Sequence, residues 1–141
     1  MAEIHCRHFN GYKPCGKSDQ CNYNCPHLSI PQKRIAIVHL AALGAVLRAT
    51  SILPALKRKY PSSHITWITQ APAHKLLENN SFIDAVYKTE QEDILSLQNL
   101  DFDAVYCIDK SLVAGGVVKN LNFKQLYGFK VDARSGSILP A

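Results

Sequence analysis

Residues 34–69 decide the fold, and they read RIAIVHLAALGAVLRATSILPALKRKYPSSHITWIT. The run Arg34–Leu40 is apolar on both faces and rich in β-branched residues, which is typical of a buried parallel strand. A glycine turn at Gly44 follows, and an amphipathic helix is predicted from Ala45 to Lys59. The segment His64–Thr69 predicts a second buried strand. The whole stretch therefore indicates a strand–helix–strand unit.

The same alternation continues along the rest of the chain. Further helices are predicted over 72–79, 90–97 and 111–120, and further strands over 83–87, 102–108 and 125–127. Pro54 lies inside the first helix, where we expect a kink or a restart. Because each connection between parallel strands must return over one face of the sheet, residues 33–141 are predicted to form an α/β domain with helices on both faces.

Composition excludes several classes of protein. The chain has 141 residues, of which 47% are hydrophobic and 19% charged, as expected for a globular domain with its own core. No apolar run approaches the ~20 residues of a membrane-spanning helix, and the amino terminus lacks a signal-peptide pattern. A cytoplasmic location is therefore predicted. The net charge of +5 is modest and its lysines and arginines are dispersed, so no nucleic-acid partner is expected.

A cysteine-rich segment, residues 1–32, precedes the α/β domain. It holds four of the five cysteines in the pattern C-x8-C-x5-C-x3-C, namely Cys6, Cys15, Cys21 and Cys25. Four thiolates complete a tetrahedral zinc site and would make it structural, and the same ligands can hold an iron–sulfur cluster. Free or disulfide-paired cysteines are the alternative. Since the segment is too polar to form a core, we predict a metal site, with zinc favoured over iron–sulfur.

Candidate ligand-binding residues follow the first and fourth strands. In a parallel sheet, ligands bind beyond the carboxyl ends of the strands, beside helix N-termini. His39 and Gly44 follow the first strand, Arg48 lies one turn into the helix, and Asp109 and Lys110 follow the fourth strand. The dinucleotide fingerprint and the P-loop are both absent. The alternatives are a structural role for His39, a helix N-cap region with Ser111 for Asp109 and Lys110, and a solvated position for Arg48.

Residues 34–87 and the later segments DAVYCIDKS (103–111) and YGFKVD (127–132) resemble the amino-terminal half of the family 9 glycosyltransferases, the heptosyltransferases. The resemblance runs from about residue 33 to the end of the chain. It rests on the order and spacing of several segments rather than on one motif. It implies the amino-terminal, Rossmann-like half of a GT-B fold, in which two such domains face each other across a cleft.

The resemblance also implies substrates and partners. In that family the amino-terminal domain holds the acceptor, a lipid A–core saccharide at the inner membrane face, and the carboxyl-terminal domain holds the ADP-heptose donor. We interpret the final SGSILPA as the end of a fragment, so the donor domain is expected to be missing. A peripheral contact with the inner membrane is compatible with such an acceptor.

One position departs from the family pattern. The family usually carries Gly-Asp-Val where this chain has Gly44-Ala45-Val46, and the Asp is taken as the general base that deprotonates the acceptor hydroxyl. Ala45 cannot accept a proton. Another base such as His39 or Asp109, binding without turnover, or an engineered replacement of the Asp would each explain this.

Two functions are therefore carried forward. One is the acceptor-side domain of a heptosyltransferase-like enzyme that is inactive alone. The other is a non-catalytic sugar- or nucleotide-binding protein with a structural metal site.

Overall fold

The computed structural model describes residues 4–9, 12, 15–17 and 21–141. The chain divides into two compact units, Met1–Gln32 and Lys33–Ala141, which are described separately below. None of the helices in the described ranges is both long enough and apolar enough to cross a membrane.

The first unit is built from turns in its described residues. One turn is closed by the N–H of Phe9, which donates to the carbonyl of Cys6, and another by the N–H of Leu28, which donates to the carbonyl of Cys25. Arg7 joins the two ends of the segment, since its backbone N–H donates to the Ser29 carbonyl at 2.7 Å and its Nε to Ser29 Oγ at 2.8 Å. The Cys6 turn is thereby held beside the chain that follows Cys25.

The second unit contains six strands and four α-helices. In chain order they are β1 (Lys33–Val38), α1 (Leu43–Ala49), α2 (Leu53–Lys59), β2 (Ser63–Thr69), β3 (Ala85–Lys88), α3 (Gln91–Leu97), β4 (Asp101–Cys107), α4 (Leu112–Lys119), β5 (Asn122–Val131) and β6 (Ile138–Pro140). Two 3-10 segments, Thr50–Ile52 and Ala73–Leu76, complete the regular structure.

All six strands form one sheet in the order β3-β2-β1-β4-β5-β6. The pairs among β1 to β5 are parallel, and β6 runs antiparallel to β5. The chain moves outward from β1 to β3 and then returns to place β4 on the other side of β1. The direction of winding therefore reverses between β1 and β4, and such a switch point opens a crevice beyond the strand ends. The α/β prediction is confirmed.

Each face of the sheet carries its own apolar core. One core joins β1, β2 and β4 to α1 and α2 and contains Ile35, Ile37, Val46, Leu53, Leu56, Ile65, Trp67 and Ala104. The other joins the sheet to α3 and α4 and contains Ala36, Val38, Ile68, Leu97, Val105, Ala114, Val117 and Leu121. Because β1 and β2 are buried on both faces, they read as continuous apolar runs. The prediction of helices on both faces is confirmed.

The restart expected at Pro54 is present, and three other elements differ from the sequence prediction. The helix predicted over 45–59 is interrupted, and α2 restarts with Pro54 in its first turn, where a missing N–H costs no hydrogen bond. The helix predicted over 72–79 is only the 3-10 turn Ala73–Leu76. The strand predicted over 125–127 is the ten-residue β5. β6 was not predicted, because it is only three residues long and all three are exposed, so the sequence shows no alternation of buried and exposed residues there.

Candidate functional site

The crevice between β1 and β4 brings together two of the predicted site residues, His39 and Asp109. Nδ1 of His39 lies 3.9 Å from Oδ2 of Asp109. The same carboxylate oxygen accepts the backbone N–H of Leu40 at 2.8 Å. The ends of two neighbouring parallel strands are therefore tied together at the point where the sheet reverses its winding.

Residues of β2 hold the chain after β1 in place. The Trp67 indole N–H donates to the His39 carbonyl at 3.3 Å, and the Thr69 hydroxyl donates to the Leu40 carbonyl at 3.1 Å. Both side chains are buried. Their roles were not predicted, although a buried indole N–H or hydroxyl needs a hydrogen-bond partner. In the sequence, the only feature that could have indicated these roles is the position of Trp67 and Thr69 near the end of a buried strand.

Burial favours the neutral form of His39. Its side chain is 13% exposed, and burial lowers its pKa below the ordinary value of 6.5, although the Asp109 carboxylate opposes that shift. Its buried Nδ1 has no hydrogen-bond partner. A neutral imidazole can accept a proton, and a nearby carboxylate stabilises the imidazolium that results.

The first turn of α1 carries no acidic residue. Ala45 is the third residue of this helix and is partly exposed. Arg48 folds back towards the helix start, since a Cβ built on Gly44 would lie 3.6 Å from a guanidinium nitrogen of Arg48. A guanidinium beside the positive end of a helix dipole attracts an anion. The predicted residues Gly44, Ala45 and Arg48 therefore share one turn of helix.

The helix N-cap region expected after β4 is present, and neither Asp109 nor Lys110 is the cap residue itself. The N-cap of α4 is Ser111, whose Oγ accepts the N–H of Ala114 at 3.1 Å. The exposed Lys110 extends its Nζ over the ring of Phe129 in β5, 4.9 Å from the centroid. Asp109 therefore interacts with Leu40 and His39, whereas the side chain of Lys110 extends towards β5.

The four predicted metal ligands Cys6, Cys15, Cys21 and Cys25 are free thiols. Within the described ranges, no three His, Cys, Asp or Glu side chains are grouped closely enough to hold a metal ion. The described positions of these cysteines therefore do not themselves form a metal site, and metal binding stays a prediction. Cys107 is buried, and burial raises the pKa of its thiol.

The sheet order defines a Rossmann-like domain, and several solved structures share its fold. A family 9 glycosyl transferase from Veillonella parvula aligns with a TM-score of 0.60 and 21% identity, over 71% of this chain and 32% of that protein. E. coli heptosyltransferase WaaC with ADP-2-deoxy-2-fluoro heptose aligns with a TM-score of 0.61 and 14% identity, over 73% and 38%. E. coli ADP-heptose LPS heptosyltransferase II aligns with a TM-score of 0.59 and 17% identity, over 67% and 30%.

The fold is therefore that of the amino-terminal domain of a GT-B glycosyltransferase. The chain spans about a third of the length of these proteins. No family model matches the sequence, and no curated protein is significantly similar to it.

Proposed function

We propose that this chain is the acceptor-side domain of a heptosyltransferase-like glycosyltransferase. The complete reaction would move a heptose from ADP-heptose to a hydroxyl of a lipopolysaccharide core acceptor. The single observation that carries the proposal is the meeting of His39 and Asp109 in the crevice at the switch point of a GT-B-type domain. One of the solved structures with this fold is described with an ADP-heptose analogue.

His39 is the proposed base. The acceptor oxygen gives up its proton and bonds to the anomeric carbon, while the bond from that carbon to the ADP oxygen breaks and ADP leaves with the electron pair. Nδ1 of His39 faces Asp109, so Nε2 is the nitrogen that takes the proton. Asp109 is anchored by the N–H of Leu40 and stabilises the imidazolium electrostatically.

The remaining residues of the crevice are proposed to bind the acceptor without taking part in the chemical step. Arg48 and the start of α1 offer positive charge to an anionic group of the acceptor, with Gly44 leaving room for its approach. Lys110 is proposed as a second contact at the rim. We place the protein in the cytoplasm, in peripheral contact with the inner membrane that carries a lipid-linked acceptor.

The chain is proposed to be inactive alone, because the donor would be bound by a second domain. Ala45 stands at the position of the family's Asp base and cannot take that role, which is why His39 is proposed for it. A non-catalytic sugar- or nucleotide-binding role is the second candidate. It is favoured by the absence of any carboxylate in the first turn of α1, which leaves an anion-attracting surface without the usual catalytic group.

Calorimetric titration of the 141-residue chain separates these proposals. We expect a core saccharide acceptor to bind, Arg48→Gln to weaken its binding, and ADP-heptose not to bind. Tight binding of ADP-heptose or ADP to this chain would contradict the acceptor-side assignment and favour the second candidate.

A transfer assay tests the proposed base. In a protein that joins this chain to a donor domain, His39→Gln should abolish transfer, and Ala45→Asp should restore it. Full activity of His39→Gln would exclude His39 as the base.

We also propose that Cys6, Cys15, Cys21 and Cys25 hold a structural zinc ion, with an iron–sulfur cluster as the alternative. The two hydrogen bonds from Arg7 to Ser29 support this, because they bring the Cys6 turn to the chain beyond Cys25. The four sulfurs would still have to converge, so metal binding would be coupled to ordering of the segment.

A further inference from the structure

Four residues form a cluster that the crevice does not use, on the sheet face that carries α1 and α2. This tyrosine–lysine cluster consists of Lys59, Tyr60, Tyr106 and Tyr127. The Tyr106 and Tyr127 rings stack with centroids 4.8 Å apart and an interplanar angle of 18°. The Tyr60 and Tyr106 hydroxyl oxygens lie 3.1 Å apart. Three separate elements, the end of α2, β4 and β5, therefore converge on one polar group of side chains.

The Lys59 ammonium lies among these rings, and no acidic side chain in the described residues neutralises its charge. Its Nζ is 4.9 Å from the Tyr127 ring centroid and 5.3 Å from that of Tyr60. Within the described part of the chain, no carboxylate forms an ion pair with it. Contact with aromatic faces orients a lysine ammonium without cancelling its charge. The cluster therefore presents a fixed positive charge.

The cluster also offers hydrogen-bond donors at neutral pH. The Tyr60 hydrogen bond raises the pKa of Lys59, so the ammonium stays protonated. Burial, and then the Tyr60 hydrogen bond, raise the pKa of Tyr106 to about 12, so its phenol stays protonated too. Tyr127 donates its hydroxyl to Gln125 Oε1 at 2.7 Å, so this hydroxyl already has a partner.

Because only one of two paired hydroxyls can donate to the other, the Tyr60–Tyr106 pair retains one O–H for a ligand. Beside it stands the Lys59 ammonium, which has three N–H donors and shares hydrogen bonds with the Tyr60 and Tyr106 hydroxyls, so one donor remains for a ligand. A positive charge and a hydroxyl donor on the same side fit the oxygens of an anion, since such charge-assisted bonds are the strong ones.

We propose that the tyrosine–lysine cluster is a binding site for an oxyanion, the phosphate or carboxylate of a small metabolite or saccharide. Lys59 supplies the charge and the Tyr60–Tyr106 pair supplies a hydroxyl proton. The site uses neither His39 nor Asp109 and does not depend on the glycosyltransferase proposal.

Titration of the 141-residue chain with inorganic phosphate, acetate and chloride at constant ionic strength tests the proposal, with the ring signals of the three tyrosines followed by NMR. We expect phosphate to shift these signals along a saturating curve and chloride to leave them unshifted. Saturation by acetate as well identifies a carboxylate-tolerant site, and saturation by phosphate alone identifies a phosphate site. Shifts that stay linear, or that chloride reproduces, overturn the proposal.

Two lysine variants locate the binding. Lys59→Gln removes the charge and should weaken phosphate binding about tenfold, the loss expected for one charge-assisted contact. Lys119→Gln is the matched control, since Lys119 is an exposed lysine in the last turn of α4, and it should leave binding unchanged. Equal affinity of Lys59→Gln and the unsubstituted chain would place the anion elsewhere and refute the site.

Discussion

Asp109 Oδ2 lies 3.9 Å from His39 Nδ1 and simultaneously binds the N–H of Leu40 at 2.8 Å. The carboxylate thus fixes the backbone after β1 and acts electrostatically on the side chain beside it. Burial and the carboxylate oppose each other in setting the pKa of His39, and burial prevails. The pair therefore presents a neutral imidazole with a stabilising charge close at hand, the combination that a general base requires.

We predict that His39 titrates below pH 6.5 and that Asp109→Asn lowers its pKa further, because the substitution removes the attraction that favours the imidazolium. NMR titration of the imidazole signals measures both values, with His39→Gln identifying the signal. His74 lies 3.9 Å from Glu78, and its signal should not respond to Asp109→Asn. An unchanged or raised pKa of His39 in Asp109→Asn would contradict the assigned interaction.

The same shift predicts a pH dependence of stability. The folded-state pKa of His39 is depressed, so in the window between that pKa and about 6.5 the unfolded chain binds more protons than the folded chain. The contribution of His39 to stability is fully present above pH 6.5 and is lost as the pH falls through the window. Urea unfolding at several pH values should show this loss, and His39→Gln should remove it.

Gly128 is predicted to tolerate no side chain. Its φ of +94° is disfavoured for other residues, and an added Cβ would collide with the backbone carbonyl of Cys107 on β4. Gly128→Ala should therefore lower the free energy of unfolding by about 2 kcal/mol or more. Gly116 in α4 has open space around it, so Gly116→Ala should raise the free energy of unfolding by about 0.5–1 kcal/mol. Thermal or urea unfolding compares the two, and the reverse order of stability would refute the geometry of β5.

Ala45→Asp should be more stable than Ala45→Asn by about 0.3–1 kcal/mol, because it places a carboxylate in the first turn of a helix that has none. Ala45→Asn is the matched control, since it has the same shape without the charge. Urea unfolding at low and high salt measures the difference between them, which should shrink as salt screens it. A stability of Ala45→Asp at or below that of Ala45→Asn would show that the position does not sense the helix dipole.

Purified protein is predicted to contain one zinc ion per chain, bound through the four cysteines of the first unit. Elemental analysis and thiol titration measure it. Cys25→Ser should lower the zinc content, since it removes one of four ligands, whereas Cys107→Ala should not, because Cys107 is a buried residue of β4. Iron and labile sulfide in place of zinc would identify a cluster, and metal-free protein with four reactive thiols would end the proposal.

Local patterns were sufficient for most of the second unit. The β-branched apolar run after residue 33 predicted β1 to within two residues of Lys33–Val38, because a strand buried on both faces has few alternatives. The restart of the helix at Pro54 could also be predicted from the local sequence, since proline lacks the N–H that a helix interior needs. The extension of β5 and the existence of β6 were missed, since their residues are largely exposed and their pairing depends on the neighbouring strand.

The amino-acid sequence by itself determined the alternation of strands and helices and the candidates at the strand ends, because both depend on residues close together in the chain. Only the tertiary structure decided that Asp109 meets His39, that Trp67 and Thr69 hold the turn after β1, and that Lys59 lies over Tyr127. These contacts follow from the order and register of strands that are far apart in sequence. Neither order nor register is set by the strands' own apolar patterns, since every buried parallel strand has much the same pattern.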